Sequence, residues 1–140
     1  MTVKYSYCYD DQKKKAAHAK LRTQLRKVAR ALGVTLERGM LHTNPGGIAV
    51  WGETTLHTND LYIQADPSRD GVLVRTCKGR TDYTGGRNCY VSLAHLMRDP
   101  AEFAKLARAA VDGGIVTSIR QMAGAYGIPM DKLIIVHVTK

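Results

Sequence analysis

Acidic residues, cysteines and long apolar runs are all scarce in this chain of 140 residues. Only 12 acidic side chains oppose 21 lysines and arginines, so the net charge is +9 and the isoelectric point about 9.7. Three cysteines are too few and too scattered for a disulfide framework, which favours a reducing compartment. The longest apolar run, Leu133 to Val138, is interrupted by His137 and is too short to cross a bilayer. We therefore expect no membrane insertion.

The length and the apolar content are those of one globular domain. Residues that are apolar make up 44% of the chain, which argues against wholesale disorder. A chain of this size buries one hydrophobic core without disulfides or metals, so residues 1–140 are predicted to form a single domain. Met1 to Tyr5 contain no apolar stretch followed by a small-residue cleavage site, and a cytoplasmic location is therefore expected.

The first third of the chain predicts a strand followed by a long helix. Apolar and polar residues alternate from Val3 to Tyr9, as in a half-buried strand. Asp10 and Asp11 are suited to cap a helix that runs to about Leu32 and stops at Gly33. The apolar residues that recur on one face of this helix are Leu21, Leu25, Val28 and Leu32.

The middle of the chain predicts short strands separated by turns. Ile48 to Trp51, Leu61 to Gln64 and Val72 to Arg75 are apolar or β-branched, and the last two are spaced for a hairpin. Leu41-His42-Thr43-Asn44 recurs as Leu56-His57-Thr58-Asn59, each copy preceding a predicted strand. Because no longer repeat surrounds these copies, we interpret them as a local echo.

The remainder predicts a loop, two helices and a last strand. Thr76 to Tyr90 is polar and glycine-containing, as in an exposed loop. Asp99-Pro100 is a strong helix start, and a further helix is predicted from Ile115 to Tyr126. The apolar run Leu133 to Val136 is typical of a central strand. The predicted order is β-α-β-β-β-α-α-β: an α+β fold with a mixed or antiparallel sheet of about five strands and three helices.

Twelve of the 21 basic residues lie in two short segments. The first, Lys13 to Arg30, holds eight basic residues and no acidic one; the second is Arg75 to Arg87. A surface of this kind attracts polyanions, because each phosphate it neutralises releases condensed counterions. The residues predicted to contact the anion are Lys15, Arg22, Arg26, Arg30, Arg75, Lys78, Arg80, Tyr83 and Arg87.

The second basic segment combines charge with backbone freedom. Gly79, Gly85 and Gly86 let the chain present amides to an oxyanion, and Tyr83 is suited to stack on a base. The surrounding stretch, roughly Leu61 to Tyr90, resembles small uncharacterised proteins encoded by bacteriophages and prophages. This resemblance implies an accessory protein in a bacterial cytoplasm and implies no reaction.

Patterns for metal binding and catalysis are incomplete. Neither a Cys-x-x-Cys pair nor a His-x-x-x-His pair occurs, and we expect no metal and no cofactor. A phosphate-binding P-loop is absent as well. Only His137-Val138-Thr139 fits a two-histidine phosphoesterase, which needs two such triplets. Thr76 stands where a metal-dependent nuclease has an acid before Lys78, and Cys77 has no identifiable base.

Three functions therefore remain open. The first is a small basic protein that holds nucleic acid, DNA or RNA, mainly by phosphate contacts. The second is a phage-type inhibitor that docks on an acidic surface of a host protein and blocks its nucleic-acid-related activity. The third is a phosphodiester-processing enzyme with an unrecognised site, which is the least favoured.

Overall fold

The computed structural model describes residues 9–79 and 87–112, together with the backbone of residues 137–138. The predicted α+β fold, with an antiparallel sheet of about five strands and three helices, is confirmed. The helices are α1 Asp11–Ala31, α2 Leu93–Arg98 and α3 Pro100–Val111. The strands are β1 Leu41–Asn44, β2 Glu53–His57, β3 Leu61–Ala65, β4 Gly71–Thr76, β5 Cys89–Ser92 and the two-residue β6 His137–Val138.

The sheet is an antiparallel meander in which the strands lie side by side in the order β1-β2-β3-β4-β5-β6. Its register places Leu41 opposite Leu56, Leu56 opposite Ile63 and Ile63 opposite Val74. The predicted hairpin between β3 and β4 is confirmed. Because side chains alternate along each strand, these apolar residues share one face of the sheet.

The helices cover that apolar face, and the core lies between the two layers. Leu25, Ile63 and Phe103 are fully buried, and they belong to α1, the sheet and α3 respectively. α1 packs mainly on β1 and β2, whereas α3 packs on β4 and β5. α1 therefore lies at the β1 side of the sheet, with α3 beside it.

The ends of α1 follow from its flanking residues. The Asp10 side chain accepts hydrogen bonds from the amides of Gln12 and Lys13, at 3.0 and 3.1 Å. At the other end Gly33 adopts φ +74, and Val34 donates its amide to the carbonyl of Ala29. This is the Schellman arrangement, which favours glycine. The predicted limits of this helix are thus confirmed.

The Asp99-Pro100 signal also gives the predicted helix. The Asp99 side chain accepts the Glu102 amide at 3.1 Å, and Pro100 occupies the first turn. A six-residue helix, α2, precedes it and was not predicted. Ser92 caps α2 by accepting the amide of His95.

The predicted strand from Ile48 to Trp51 is wrong. These residues belong to the loop between β1 and β2, where Ala49 adopts φ +69 and Ile48 is 92% exposed. The actual strands on either side are threonine-rich, and β2 buries Thr54 completely. The apolar run misleads here because its side chains face solvent, while a hydroxyl occupies the interior.

β5 was also missed, since the predicted loop from Thr76 to Tyr90 includes its first two residues. The predicted N-terminal strand before Tyr9, the helix from Ile115 to Tyr126 and the run Leu133 to Val136 lie outside the described residues. Among the residues that are described, no helix combines the length and the hydrophobicity needed to span a membrane.

Candidate functional site

The outward face of α1 is the most strongly charged surface of the described chain. Asp11 is the single acidic residue of this helix, which carries eight lysines and arginines over a length of about 30 Å. Six of these basic side chains are exposed: Lys13, Lys15, Lys20, Arg26, Lys27 and Arg30.

The positive charges of α1 are not neutralised by neighbouring acids. None of them forms an ion pair with a residue within 9–79 or 87–112, whereas Arg69 and Arg108 pair with Asp66 and Asp60. Like charges one turn apart, as at Arg26 and Arg30, destabilise a helix by about 0.2–0.5 kcal/mol per pair. The helix therefore carries an electrostatic repulsion that an external anion would relieve.

Lys14 differs from the other lysines of α1 because it is buried, with 8% of its surface exposed. Its Nζ donates to the carbonyl oxygens of Pro45 and Gly47, at 2.8 and 3.2 Å. A buried ammonium group is stable only when its donors are satisfied, and here the loop between β1 and β2 satisfies them. Lys14 thus fixes that loop against the N-terminal turn of α1.

A buried chain of hydrogen bonds ties α1 to β1 and β2. The two ring nitrogens of His18 lie 2.7 Å from Thr54 Oγ1 and 2.6 Å from the Trp51 carbonyl oxygen. Thr54 Oγ1 is in turn 2.9 Å from Thr43 Oγ1, which accepts from Arg22 Nη1 at 3.3 Å. Since the Trp51 carbonyl only accepts, Nε2 carries a proton. With Nδ1 as acceptor, every group in the chain then has a partner.

This network places one flank of α1 above the free side of β1. Lys15, Arg22 and Arg26 lie within about 40° of one another around the helix axis. Lys15 and Arg22 line a groove of about 250 Å³ whose other wall includes Thr43 and Pro45. Arg22 is half-buried there and held by Thr43, so its guanidinium group is positioned before any ligand arrives.

The uncharged polar side chains along the middle of α1 are already engaged. Gln24 Nε2 donates to the carbonyl oxygens of Leu96 and Met97, each at 3.0 Å. Thr23 Oγ1 donates to the carbonyl oxygen of Ala19, one turn earlier. The outward face therefore offers mainly positive charge.

The second basic segment lies elsewhere. Arg75 alternates with the buried Val74 and so points to the sheet face opposite the helices. Its Nη1 donates to Asn88 Oδ1 at 2.9 Å. Lys78 and Arg87 are exposed beyond the end of β4 and before β5. Arg80 and Tyr83 lie outside the described residues.

The predicted contact residues thus do not form one cluster in the part of the chain that is described. Lys15, Arg22, Arg26 and Arg30 follow the β1 flank and outer surface of α1, whereas Arg75 is on the opposite side of the sheet. Sequence reasoning missed the structural use of Lys14, His18 and Thr54. The spacing of Lys14, His18 and Arg22 by four residues was the available signal, because it places them on one stripe of the helix.

Cysteines and metal ligands add no second site within the described residues. Cys77 is half-buried, and its Sγ lies 3.5 Å from the carbonyl oxygen of Thr58. Burial raises the pKa of the Cys89 thiol, and the nearby Arg87 guanidinium offsets part of that rise. A thiol of this kind is a poor nucleophile at neutral pH. Over residues 9–79 and 87–112, no three histidine, cysteine or acidic side chains are grouped to hold a metal ion.

Comparisons with known proteins identify no relative. No family model matches the chain, and neither a curated protein nor a solved structure is significantly similar to it. The resemblance to phage-encoded proteins over roughly residues 61–90 therefore stays a prediction.

Proposed function

We propose that this protein binds nucleic acid, or a polyanion of similar charge density, through the outward face of α1. The observation that carries the proposal is that the exposed basic side chains of α1 have no acidic partner within the described residues. Phosphates would supply the missing negative charge, and the release of their condensed counterions would drive association. The long leucine-docked helix would serve as a rigid support for these charges.

The proposed contacts are to phosphates, and they select no base sequence. Gln24 and Thr23, which could otherwise read base edges, donate to backbone carbonyls instead. Lysine and arginine side chains that reach phosphates position a protein on nucleic acid without carrying sequence information. DNA and RNA are both suitable partners, and Arg26 and Arg30 can each bind two phosphate oxygens at once.

Binding of the unmodified protein should depend steeply on salt and little on sequence. Fluorescence anisotropy with labelled strands of about 20 nucleotides should show affinity falling by about 10³-fold or more between about 50 and 200 mM salt. Strands of different sequence and equal length should bind within about threefold of one another, because phosphates supply the contacts. An affinity that is independent of salt, or confined to one sequence, would contradict the proposal.

A second candidate is an acidic protein partner, and the free side of β1 favours it. That strand edge lies beside Lys15 and Arg22, where backbone groups and positive charges are available together. A host protein recovered from bacterial lysate after nuclease treatment, and lost at high salt, would be the expected result for this candidate. No arrangement of the described residues favours the third alternative, a phosphodiester-processing enzyme.

A further inference from the structure

β1 is an edge strand of the described sheet, and its outer side carries unused backbone hydrogen-bonding groups. The Met40 carbonyl accepts from the His57 amide at 2.7 Å, which fixes how the backbone groups of β1 alternate. By this register His42 and Asn44 direct their amides and carbonyls toward β2. Leu41 and Thr43 direct theirs outward, where no described residue pairs with them.

A basic wall stands over this edge. Lys15 and Arg22 line the groove next to Thr43, and Arg26 continues the same flank of α1 one turn further. The bond from Arg22 to Thr43 and the buried His18 network hold the helix and the strand in fixed relation. An edge strand with a neighbouring row of cations is therefore formed before any partner binds.

We propose that this edge binds an extended acidic peptide, which pairs with β1 as an added strand. An extended peptide offers alternating amides and carbonyls that match those of Leu41 and Thr43. Every second side chain of the added strand would rise on the helix side of the sheet, so acids at those positions meet Lys15 and Arg22. The proposal develops the second candidate above and does not require that nucleic acid binds.

Two other occupants fit the edge less well. A phosphodiester backbone carries no amide donors, so it would leave the outward carbonyls of Leu41 and Thr43 without partners. A second copy of this chain would bring an identical basic flank, with Lys15 and Arg22 opposed to like charges across the new pair. An acidic peptide satisfies both the backbone groups and the charges.

Amide hydrogen exchange of the full-length protein tests the strand pairing directly. The probe is an end-capped peptide of about eight residues that alternates aspartate and valine, long enough to cover a four-residue strand. At saturation, exchange at Leu41 and Thr43 should slow at least tenfold, while His42 and Asn44, already paired with β2, change little. Fast exchange at Leu41 and Thr43 in the saturated complex would overturn the proposal. So would slow exchange at both amides before any peptide is added.

Two controls separate strand addition from simple charge attraction. A peptide of the same sequence with N-methyl groups on alternate residues keeps its charge but cannot complete the pairing. It should bind about tenfold more weakly, and equal affinity would contradict the proposal.

Matched charge variants test the basic flank. Lys15→Gln with Arg26→Gln should weaken peptide binding about tenfold. Lys20→Gln with Lys27→Gln, an equal charge change on the other flank of α1, should weaken it less than threefold. Equal losses in the two variants would overturn the proposal. Anisotropy with labelled nucleic acid on the same samples keeps the two proposals separate, because failure of either assay leaves the other result standing.

Discussion

Replacing Gly52 with alanine should destabilise the fold by about 2–4 kcal/mol, the sum of backbone strain and a steric clash. Gly52 adopts φ +75, a conformation that residues with a Cβ atom rarely occupy. A Cβ atom there would collide with the carbonyl oxygen of Asn44 and lie 2.6 Å from the carbonyl carbon of Pro45. Since both neighbours are backbone, relief requires that the loop between β1 and β2 changes shape. Denaturant unfolding measures the loss.

Gly47→Ala is the matched control in the same loop. A Cβ atom at Gly47 would meet no atom within 4 Å, and its φ is not in the left-handed region. We expect a change of less than about 0.5 kcal/mol for this variant. Similar losses at both positions would show that the loop is not held in the conformation described, and with it the anchoring by Lys14 would be in doubt.

Leu25→Ala should destabilise the protein by about 2–5 kcal/mol, because it removes a fully buried side chain and leaves a cavity. Leu25 lies on the inner face of α1 and belongs to the cluster that joins α1 to the sheet and to α3. The loss should appear as a lower denaturation midpoint with an unchanged dependence on denaturant.

Ile48→Ala removes side-chain carbons from an exposed position instead, since Ile48 is 92% exposed. Its expected effect is within about 0.5 kcal/mol. If Leu25→Ala were as mild as Ile48→Ala, the assignment of the leucine face of α1 to the core would be wrong. The corresponding expectation for Ile135 stays a prediction, because that residue lies outside the described part of the chain.

The local signals in the sequence predicted the helices best. Asp10, Gly33 and Asp99-Pro100 act within a few residues of the helix ends that they determine, so tertiary contacts are not needed to interpret them. The hairpin of β3 and β4 was predictable for the same reason, since its strands alternate and its turn residues are close in sequence.

Strands whose character depends on distant residues were not predictable. β2 buries Thr54 because His18, 36 residues away, lies within hydrogen-bonding distance of its hydroxyl, and no pattern within β2 records this. The apolar residues Ile48 and Val50 suggested a strand, yet both are exposed in a loop whose shape depends on Gly52 and Lys14. Polar burial and apolar exposure together reversed the usual pattern.

The candidate site shows a similar division. The clustering of basic residues in α1 was evident from composition, and a one-sided amphipathic helix follows from the leucine spacing. What the pattern did not reveal is that Lys14 is buried against loop carbonyls and that Arg22 is held by Thr43. Nor did it reveal that Arg75 points to the other side of the sheet. Such partitioning depends on how α1 is rotated on the sheet.

The central claim is that the exposed charges of α1, and not the net charge of the chain, bind the polyanion. Two triple variants with equal net charge test it most directly. Each replaces three exposed basic residues with glutamine and lowers the net charge from +9 to +6. One changes Arg26, Lys27 and Arg30 on α1; the other changes Arg69, Lys78 and Arg87, which lie away from that helix.

The measurement is the slope of log affinity against log salt concentration for a labelled single strand. The account predicts that the α1 variant loses about two to three units of slope relative to the unmodified protein, because each lost phosphate contact removes about 0.7–0.9 unit. The second variant should retain nearly the original slope. Equal reductions in the two variants would mean that only overall charge matters. A reduction confined to the second variant would place the binding surface at the segment around Arg75–Arg87 and contradict the account.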